Sequence, residues 1–396
     1  MNFESKRARK MDPSDDTLLK FELPEIIYGL GSLSQIGQCA KRLGGERVLL
    51  VTDPGVIETG WVDDSIKSLE RQSLKTVIYD NIVTNPRCFQ VEQGAKLYNQ
   101  KKCDVIVAVG GGSPMDAAKG IAIVVSNHGK IHDYAGCNLI TQPIPPLICV
   151  PTTAGTGSDV SQFSIITDPR KKLKMTILSR AIMADISLID PRLLQTKSRE
   201  LMAATGIDAL THAIEAYVSS LAWSLTDPHA IHAIELVFAH LKKAFDTRDI
   251  ESLEGMAIAS LEAGIAFSNA ILGAVHALAH PLSGVHDIHH GVANTILLPV
   301  VIRKNMPHAP RKFARIANAM GMDIRGKSDV EAAGTVPQMV QELITYLGLP
   351  TTLTEIGIKA VDIPAMAKDA AQDLCMQTNP HCYGIEEIES MYHEAL

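Results

Sequence analysis

Histidines concentrate in one segment, "HALAHPLSGVHDIHHGVAN", which contains five of the chain's fourteen within fifteen positions. His276 and His280 lie four residues apart ahead of Pro281, so a helix would present both imidazoles on one face. His290 precedes a glycine, and we expect it in a loop. The segment predicts that some of these side chains bind a metal ion.

A second pair of candidate ligands occurs in "TGIDALTHAIEAY", where Asp208 and His212 have the same helical spacing. One carboxylate with three neutral imidazoles leaves a divalent cation with positive charge and an open position, which suits Lewis-acid catalysis. Fe(II) and Zn(II) both accept such a set. A single histidine is more often a packed or surface residue, so the prediction depends on the two segments together.

A triple glycine in "VIVAVGGGSPMDAAKGIAI" follows a predicted strand and precedes a helix expected to begin near Pro114. Glycines allow the backbone to approach a phosphate, and the helix N-terminus offers free N–H groups. The pattern makes pyrophosphate-binding candidates of Gly110, Gly111, Gly112 and Ser113. A tight turn without any ligand explains an isolated triple glycine equally well.

Two further positions have both a functional and an ordinary explanation. Asp53 ends the strand "VLLVTD", where a carboxylate can accept ribose hydroxyls and repel a 2′-phosphate, which favours NAD over NADP. The same residue could simply form the turn "TDPG". Lys174 belongs to a basic cluster, and a solvated surface is its default interpretation.

The elements that position these residues fall into two halves. Short runs that are apolar on both faces alternate with helical stretches up to about residue 195, as expected for a parallel sheet covered by helices. Long helical patterns follow. The sequence predicts an α/β dinucleotide-binding domain over residues 1–195, an all-α domain over residues 196–396, and a cleft between them.

Composition excludes several other classes of protein. Charged residues make up 20% and the net charge is −7, so nothing indicates a nucleic-acid-binding surface. The seven cysteines are widely spaced without any CxxC pair, which favours a reducing cytoplasm over a disulfide framework. The N-terminal "MNFESKRARKMDPSDD" lacks an apolar core, and no long apolar run follows, so neither secretion nor membrane spanning is expected.

Several motifs together resemble the iron-containing (group III) alcohol dehydrogenases: "GGGSPMDAAKG", "PTTAGTGSDVS", "TGIDALTHAIEAYVS", "AGIAFSNAILGAVHALAHPLSGVHDIHHGVANTILLPVVIRKN" and "TNPH". The resemblance extends from about "FELPEIIYGLGSL" to the C-terminus. It implies a dehydroquinate-synthase-like architecture, with an α/β N-terminal dinucleotide-binding domain and an all-α C-terminal domain. It also implies NAD as cofactor and Fe(II) as the metal, with Zn(II) as the alternative.

The resemblance assigns a role to each motif residue. The implied metal ligands are Asp208, His212, His276 and His290, with His280 in proton transfer. The implied cofactor-binding residues are Asp53, Asn85, Gly111, Gly112, Ser113, Asp116, Thr152, Thr153, Ser161, Phe163, Lys174 and Leu193. His286 and His289 match no ligand position.

Three positions depart from the family pattern. "DPRLLQTKSREL" lacks a usual proline, which affects the expected contact of Leu193. His289 stands where the family often has proline, and it could compete for metal or shape the substrate pocket. His381 in "TNPH" replaces a common arginine, so a role for that arginine in cleft or subunit contacts does not carry over.

The resemblance implies reversible hydride transfer between a small alcohol and NAD, in a cytoplasmic homodimer or higher homo-oligomer. The specific alcohol stays open, and the absence of a cation in the histidine segment favours a neutral one. The alternatives are a dehydroquinate-synthase-like lyase or glycerol-dehydrogenase-like enzyme on the same fold, or a non-catalytic filament-forming subunit.

Overall fold

The computed structural model describes residues 20–170 and 173–396, so the basic N-terminal segment lies outside the described residues. The strands are β1 (Glu25–Tyr28), β2 (Arg47–Val51), β3 (Lys75–Tyr79), β4 (Val105–Gly110), β5 (Gly136–Cys137), β6 (Leu147–Pro151), β7 (Phe163–Asp168), β8 (Leu173–Leu178) and β9 (Ile186–Ile189). The helices of the first half are α1 (Ile36–Arg42), α2 (Pro54–Ile57), α3 (Trp61–Arg71), α4 (Cys88–Lys101) and α5 (Gly112–Asn127).

The second half is helical over its described length. Its helices are α6 (Arg199–Val218), α7 (Thr226–Thr247), α8 (Ile250–Ala270), α9 (Ala274–His286), α10 (His290–Asn305), α11 (Pro310–Ala319), α12 (Asp329–Ala333), α13 (Val336–Tyr346), α14 (Ile363–Ala371), α15 (Leu374–Thr378) and α16 (Ile385–Ala395). Short 3-10 turns occupy Ser32–Gln35, Ile131–Tyr134, Arg180–Ile182, Pro191–Thr196, Met306–His308, Thr354–Ile356 and Ala360–Asp362.

A six-stranded parallel sheet forms the centre of the first half, in the order β1-β9-β6-β4-β2-β3. β4 and β9 are buried along their whole length, and apolar clusters cover both faces of the sheet. This burial explains the continuous apolar runs in the sequence. The predicted fold class, α/β followed by all-α, is confirmed.

The strand order reverses beside β2. After β3 pairs on one side of β2, the chain returns to place β4 on its other side. Ligands of open α/β sheets bind outside the carboxyl ends of the strands at such a switch point. Asp53 follows β2 and the glycine turn follows β4, so the topology brings these two candidates together.

A smaller sheet, β5-β8-β7, projects from the first half and contains one antiparallel pair, β7 with β8. β7 packs on α5, and β8 on α9. Ser161 and Phe163 at the start of β7, and Lys174 on β8, are thereby turned toward the second half.

α6 is the central helix of the second half and is buried from Met202 to Val218. Its surroundings are α7, α8, α9 and α10, which share one apolar core with it. Among the described residues, no single helix is long and apolar enough to cross a membrane; Ile250–Ala270 and Ala274–His286 pass together only as a pair bent by 100°.

One local prediction was wrong. His290 is the first residue of α10, with His289 as its N-cap, and does not lie in a loop. α5 begins at Gly112, two residues before Pro114, so the last two glycines of the triple belong to the helix start. Pro281 lies inside α9, which continues to His286. The domain division at residue 195 stays a prediction.

Candidate metal and cofactor site

A cavity of about 760 Å³ separates the carboxyl edge of the large sheet from helices α6, α9 and α10. Most of the predicted site residues line it. From the first half these are Asp53, Asn85, Gly111, Gly112, Ser113, Asp116, Thr153, Ser161, Phe163 and Lys174, and from the second half Asp208, His212, His276, His280 and His290. Fifteen of the seventeen positions thus face one space.

The other two predicted residues, Thr152 and Leu193, do not line the cavity. Thr152 is fully buried, and its N–H donates to the carbonyl of Gly110 at 2.9 Å. This hydrogen bond fixes the start of the glycine turn. Leu193 is fully buried in the core on one face of the large sheet. Their roles in cofactor contact stay predictions that the geometry does not support directly.

The four predicted metal ligands come from three helices. One ligand atom each of Asp208, His276 and His290 lies within 4.8 Å of the others. His212 Nε2 is 4.0 Å from Asp208 Oδ1, one helical turn away. The His212 and His276 rings stack at a centroid distance of 4.6 Å. The predicted ligands therefore converge on one point of the cavity wall.

A buried carboxylate that sequence reasoning missed orients His276. Glu215 Oε2 is 2.5 Å from His276 Nδ1, and Glu215 Oε1 accepts from the Val275 N–H at 2.6 Å. The bond holds Nδ1 away from the cluster and leaves Nε2 for the ion, the usual carboxylate–histidine–metal arrangement. Burial raises the pKa of Glu215 to about 7. The available signal was its position one turn after His212 on the helix that carries both ligands.

The backbone orients a second ligand in the same way. His212 Nδ1 lies 3.1 Å from the carbonyl of Gly155, which can only accept, so Nδ1 carries the proton and Nε2 is free to bind an ion. Burial lowers the pKa of His276 and of His290 well below the usual range. Neutral imidazoles are the form in which histidine binds metals.

Two buried polar atoms that lack a hydrogen-bond partner belong to residues of the same ligand cluster. Asn294 Nδ2 donates to Asp208 Oδ1 at 2.7 Å and lies 3.3 Å from His276 Nε2, while its own Oδ1 is buried without a partner. Nδ1 of His290 is also buried without one. The Asn294 amide nitrogen thus lies beside two of the proposed ligands, Asp208 and His276. One carboxylate and three neutral imidazoles fit a divalent cation such as Fe(II) or Zn(II).

His280 is held by a carboxylate of its own, that of Asp373. Its Nδ1 lies 2.7 Å from Asp373 Oδ2, and its ring stacks on that of His290 at a centroid distance of 5.5 Å. Burial opposes ionisation of Asp373, but the neighbouring His280 holds the pKa of that carboxyl below its usual value. Asp373, the N-cap of α15, was not found by sequence reasoning because it lies 93 residues from its partner.

The glycine turn forms the opposite wall of the cavity. Gly111 caps α5 without any side-chain hydrogen bond to the first turn, so backbone N–H groups there remain available to an anion. A Cβ on Gly112 would lie 2.9 Å from Thr156 Cγ2, so a larger residue would crowd the turn. Asp53 caps α2 through Val56 N–H at 3.0 Å, which confirms its role in the turn; it also lines the cavity, and its contact with a ribose stays a prediction.

Two ionisable side chains of α5, Asp116 and Lys119, lie next to the glycine turn. Asp116 accepts from the Ser158 hydroxyl at 2.6 Å, and burial raises the pKa of its carboxyl. Lys119, which sequence reasoning missed, donates to the carbonyls of Ser161 at 2.7 Å and Phe163 at 2.9 Å. Lys119 thereby fixes the start of β7, the segment assigned to the nicotinamide side of the cofactor.

Lys174 does not lie on a solvated surface, and its local interpretation was wrong. The side chain lines the cavity from β8, and burial lowers its pKa to about 8. A partly buried cation that lines the cavity agrees with the cofactor-binding role that the family resemblance implies.

Asn85 has a left-handed backbone, with φ of 57°, and donates to Asp287 Oδ1 at 2.7 Å. Arg87 also contacts Asp287, at 3.1 Å. Asp287 is the C-cap of α9, so this contact ties the loop after β3 to the histidine segment across the two halves.

The remaining histidines are not among the converging ligands. His289 lines the cavity, and its Nδ1 is buried without a partner; His286 Nε2 is likewise unpartnered but does not line it. His381 stacks on His308 at a centroid distance of 4.1 Å, away from the cavity lining. His289 is therefore the departure from the family pattern that can act on a substrate.

Comparison with known proteins places these features in context. The model "Iron-containing alcohol dehydrogenase" matches residues 24–191, and "Fe-containing alcohol dehydrogenase family, C-terminal" matches residues 202–396. The chain is 41% identical over 382 residues to 1,3-propanediol dehydrogenase of Citrobacter freundii, covering 96% of this chain and 99% of the relative. It is 36% identical over 374 residues to NAD-dependent methanol dehydrogenase of Bacillus methanolicus, covering 94% and 98%.

A solved structure of 1,3-propanediol oxidoreductase superposes on the chain with a TM-score of 0.94 at 40% identity. The match covers 96% of this chain and 100% of the other. Fold and sequence therefore agree over nearly the whole length.

Proposed function

The chain belongs to the iron-containing alcohol dehydrogenase family, whose members use NAD and Fe(II), and we propose that its cavity interconverts short neutral alcohols or diols with their aldehydes. The observation that supports this most is the convergence of two different sites on one space. Four metal-type ligands and a glycine turn at a helix N-terminus face each other across the same cavity. Hydride transfer needs this arrangement, because substrate and nicotinamide must meet.

The proposed ligands of the iron are Asp208, His212, His276 and His290. When bound, iron supplies Lewis acidity for the alcohol oxygen, and NAD accepts or returns the hydride. Glu215 supports the set by fixing the tautomer of His276. Asp208, His212 and His276 are buried, which strengthens the electrostatic interactions among them.

The proposed proton carrier is His280. Its Nδ1 is held by Asp373, so the ring keeps a fixed orientation with its other nitrogen available for exchange. During alcohol oxidation His280 would receive the proton that the substrate loses and pass it toward solvent. During aldehyde reduction it would return that proton.

The proposed cofactor site follows the nucleotide wall. Asp53 would bind the adenosine ribose, and the α5 N-terminus at Gly111, Gly112 and Ser113 would hold the pyrophosphate. Asn85 and Asp116 lie in the same wall. The remaining assignments place Thr152, Thr153, Ser161 and Phe163 toward the nicotinamide, Lys174 at a ribose hydroxyl, and Leu193 near a loop beside the cofactor.

Apolar side chains beside the metal ligands support a small uncharged substrate. Phe163, Phe267, Leu272 and Cys375 line this part of the cavity. A pocket of this kind accepts short carbon chains. The relatives named for 1,3-propanediol and methanol support the same substrate class.

We also propose a homodimer or higher homo-oligomer in the cytoplasm. Exposed Leu23, Tyr28 and Leu30 surround β1, the edge strand of the large sheet, which suits a contact between copies. All seven cysteines are unpaired, as expected in a reducing compartment. Light scattering of the purified protein tests the assembly.

The direct test is NADH formation from a panel of alcohols with the iron-loaded enzyme. We expect activity with 1,3-propanediol and short primary alcohols, loss of activity after chelation, and recovery with Fe(II). Net NADH formation also separates this function from a lyase, which returns its NAD oxidised. No turnover with any neutral alcohol or aldehyde would contradict the proposal.

A further inference from the structure

We infer that Cys88, His132 and Asp168 form a second metal site, for a borderline transition-metal cation of the Zn(II) class. None of the three residues lines the iron cavity. This site was not predictable from local pattern, because the residues belong to no shared motif and are separated by 44 and 36 positions.

The three ligand atoms already lie close together. A thiol sulfur, an imidazole nitrogen and a carboxylate oxygen from these side chains are all within 4.8 Å of one another. His132 Nε2 and Asp168 Oδ2 are 3.1 Å apart. Ligands on one tetrahedral zinc, bonded at about 2.0–2.3 Å, lie roughly 3–4 Å from each other, so only small side-chain movements are needed.

Three separate elements position the ligands. Cys88 is the first residue of α4, His132 lies in the 3-10 turn Ile131–Tyr134, and Asp168 ends β7. Burial and the nearby Asp168 carboxylate raise the pKa of the Cys88 thiol, so a metal ion that binds here would displace the thiol proton. The Thr167 N–H donates to the Pro86 carbonyl at 2.8 Å and fixes the β7 end against the segment before Cys88.

Burial and access also suit a bound ion. Cys88 is 8% exposed and the Asp168 side chain 3%, whereas the His132 side chain is 32% exposed. An ion can enter beside His132 and keep a water as its fourth ligand. Sulfur and imidazole donors select Zn(II)-like cations over Mg²⁺ or Ca²⁺, which require oxygen ligands.

A metal ion bound by these three residues would also restrain a loop that lines the cavity. Cys88 directly follows a loop in which Asn85 and Pro86 line the cavity. A metal bridging Cys88 to β7 would cross-link that loop to the small sheet. Binding to the folded chain alone would also raise its thermal stability.

Cobalt(II) is the probe that reports this site selectively. A thiolate bound to Co(II) gives an intense near-ultraviolet charge-transfer absorption, and the proposed iron ligands contain no sulfur. We expect this band when Co(II) is added to the iron-loaded holoenzyme, with loss of the band when Zn(II) displaces the cobalt. Absence of the band in the wild-type protein would overturn the inference.

Matched variants identify the sulfur. Cys88→Ser and His132→Ala should abolish or strongly weaken the band, whereas Cys137→Ser, which alters an exposed thiol, should leave it unchanged. NADH formation by each variant checks folding, and His132→Ala serves if Cys88→Ser does not fold. A band that persists in both variants would overturn the site and assign the sulfur elsewhere, such as Cys375 beside the iron ligands.

Discussion

The two walls of the cavity are built by different means. The helical wall presents side chains from α6, α9 and α10, each at a fixed position on a buried helix. The nucleotide wall presents mainly turns at the carboxyl ends of β2 and β4, where backbone groups and small residues face the cavity. The helical wall suits a point charge that needs exact ligand positions, and the nucleotide wall suits an extended anionic cofactor.

The difference implies that substitutions in the two walls should have separable effects. Changes in the helical wall should remove iron and lower kcat while the nucleotide still binds. Changes in the nucleotide wall should raise KM for NAD while iron content is preserved. The following variants test this separation in decreasing order of expected effect.

His276→Ala should have the largest effect on kcat and iron content, because it removes one of the four proposed iron ligands. Lewis-acid stabilisation is worth several kcal/mol, so we expect kcat to fall by about a thousandfold or more, with iron lost on dialysis. Iron analysis and NADH formation provide the measurement. His286→Ala, on the same helix but outside the cavity lining, is the control and should retain iron. Full activity with metal-free His276→Ala would refute the ligand assignment.

Glu215→Gln should have the next largest effect, since the amide can no longer hold His276 as a carboxylate does. Losing such a partner typically costs about 10- to 100-fold in metal affinity. Competition with a coloured chelator measures this loss in the iron-loaded protein. Glu235→Gln, an exposed change on α7, should match the wild type. Equal iron affinity in both variants would show that Glu215 does not support the ligand.

Gly112→Ala tests the nucleotide wall. The added Cβ would meet Thr156 Cγ2 at 2.9 Å and displace the turn that is proposed to hold pyrophosphate. We expect KM for NAD to rise about tenfold, equivalent to about 1.4 kcal/mol, with iron content unchanged. Gly384→Ala is the control, because its Cβ meets only Glu387 Oε2, at 3.7 Å. Loss of iron in Gly112→Ala would contradict the separation of the two walls.

Asp53→Asn should have a smaller effect, limited to the choice of cofactor. Asparagine caps a helix as well as aspartate does, so α2 should be preserved while the negative charge is removed. Because the residue is partly exposed, we expect a loss of about 1 kcal/mol of discrimination, or about fivefold in the ratio of kcat/KM for NAD over NADP. Steady-state kinetics with both cofactors measure this ratio. An unchanged ratio would leave Asp53 with its capping role alone.

The same contrast explains how much the sequence could predict. Helical spacing related Asp208 to His212 and His276 to His280 and so predicted a metal site in the helical wall, but the family resemblance, not the local pattern, selected His276 and His290 as ligands. Glu215 carried the same periodic signal but was overlooked. Asp373 and Asn294 could not be assigned, because their contacts with His280 and Asp208 arise from helix packing between distant segments.

For the nucleotide wall, apolar runs predicted the parallel sheet but not its strand order. Only that order places Asp53 next to the glycine turn and makes both parts of one site. Lys174 shows the limit of local composition most clearly, since a basic cluster suggested solvent while β8 directs this side chain into the cavity. The family resemblance, not the local pattern, supplied its assignment.

Lys174 also provides the smallest predicted effect, a pH dependence of stability that originates in the nucleotide wall. Burial lowers its pKa from 10.5 to about 8 in the folded protein, whereas the unfolded chain keeps the ordinary value. Between these pH values the unfolded state binds more protons, so the free energy of unfolding rises with pH. Well below pH 8 the amine is charged in both the folded and the unfolded state, so the titration of Lys174 no longer changes the free energy of unfolding.

Urea unfolding of metal-free protein at pH 8 and pH 9 tests this effect by comparing the wild type with Lys174→Met. The slope cannot exceed 1.36 kcal/mol per pH unit, and the wild type should gain about 1 kcal/mol relative to the variant over this interval. Groups elsewhere in the chain titrate equally in both proteins and cancel in the difference. Parallel pH curves would show that water or a nearby carboxylate solvates Lys174 in the folded state, and that the nucleotide wall is less dry than the helical wall facing it.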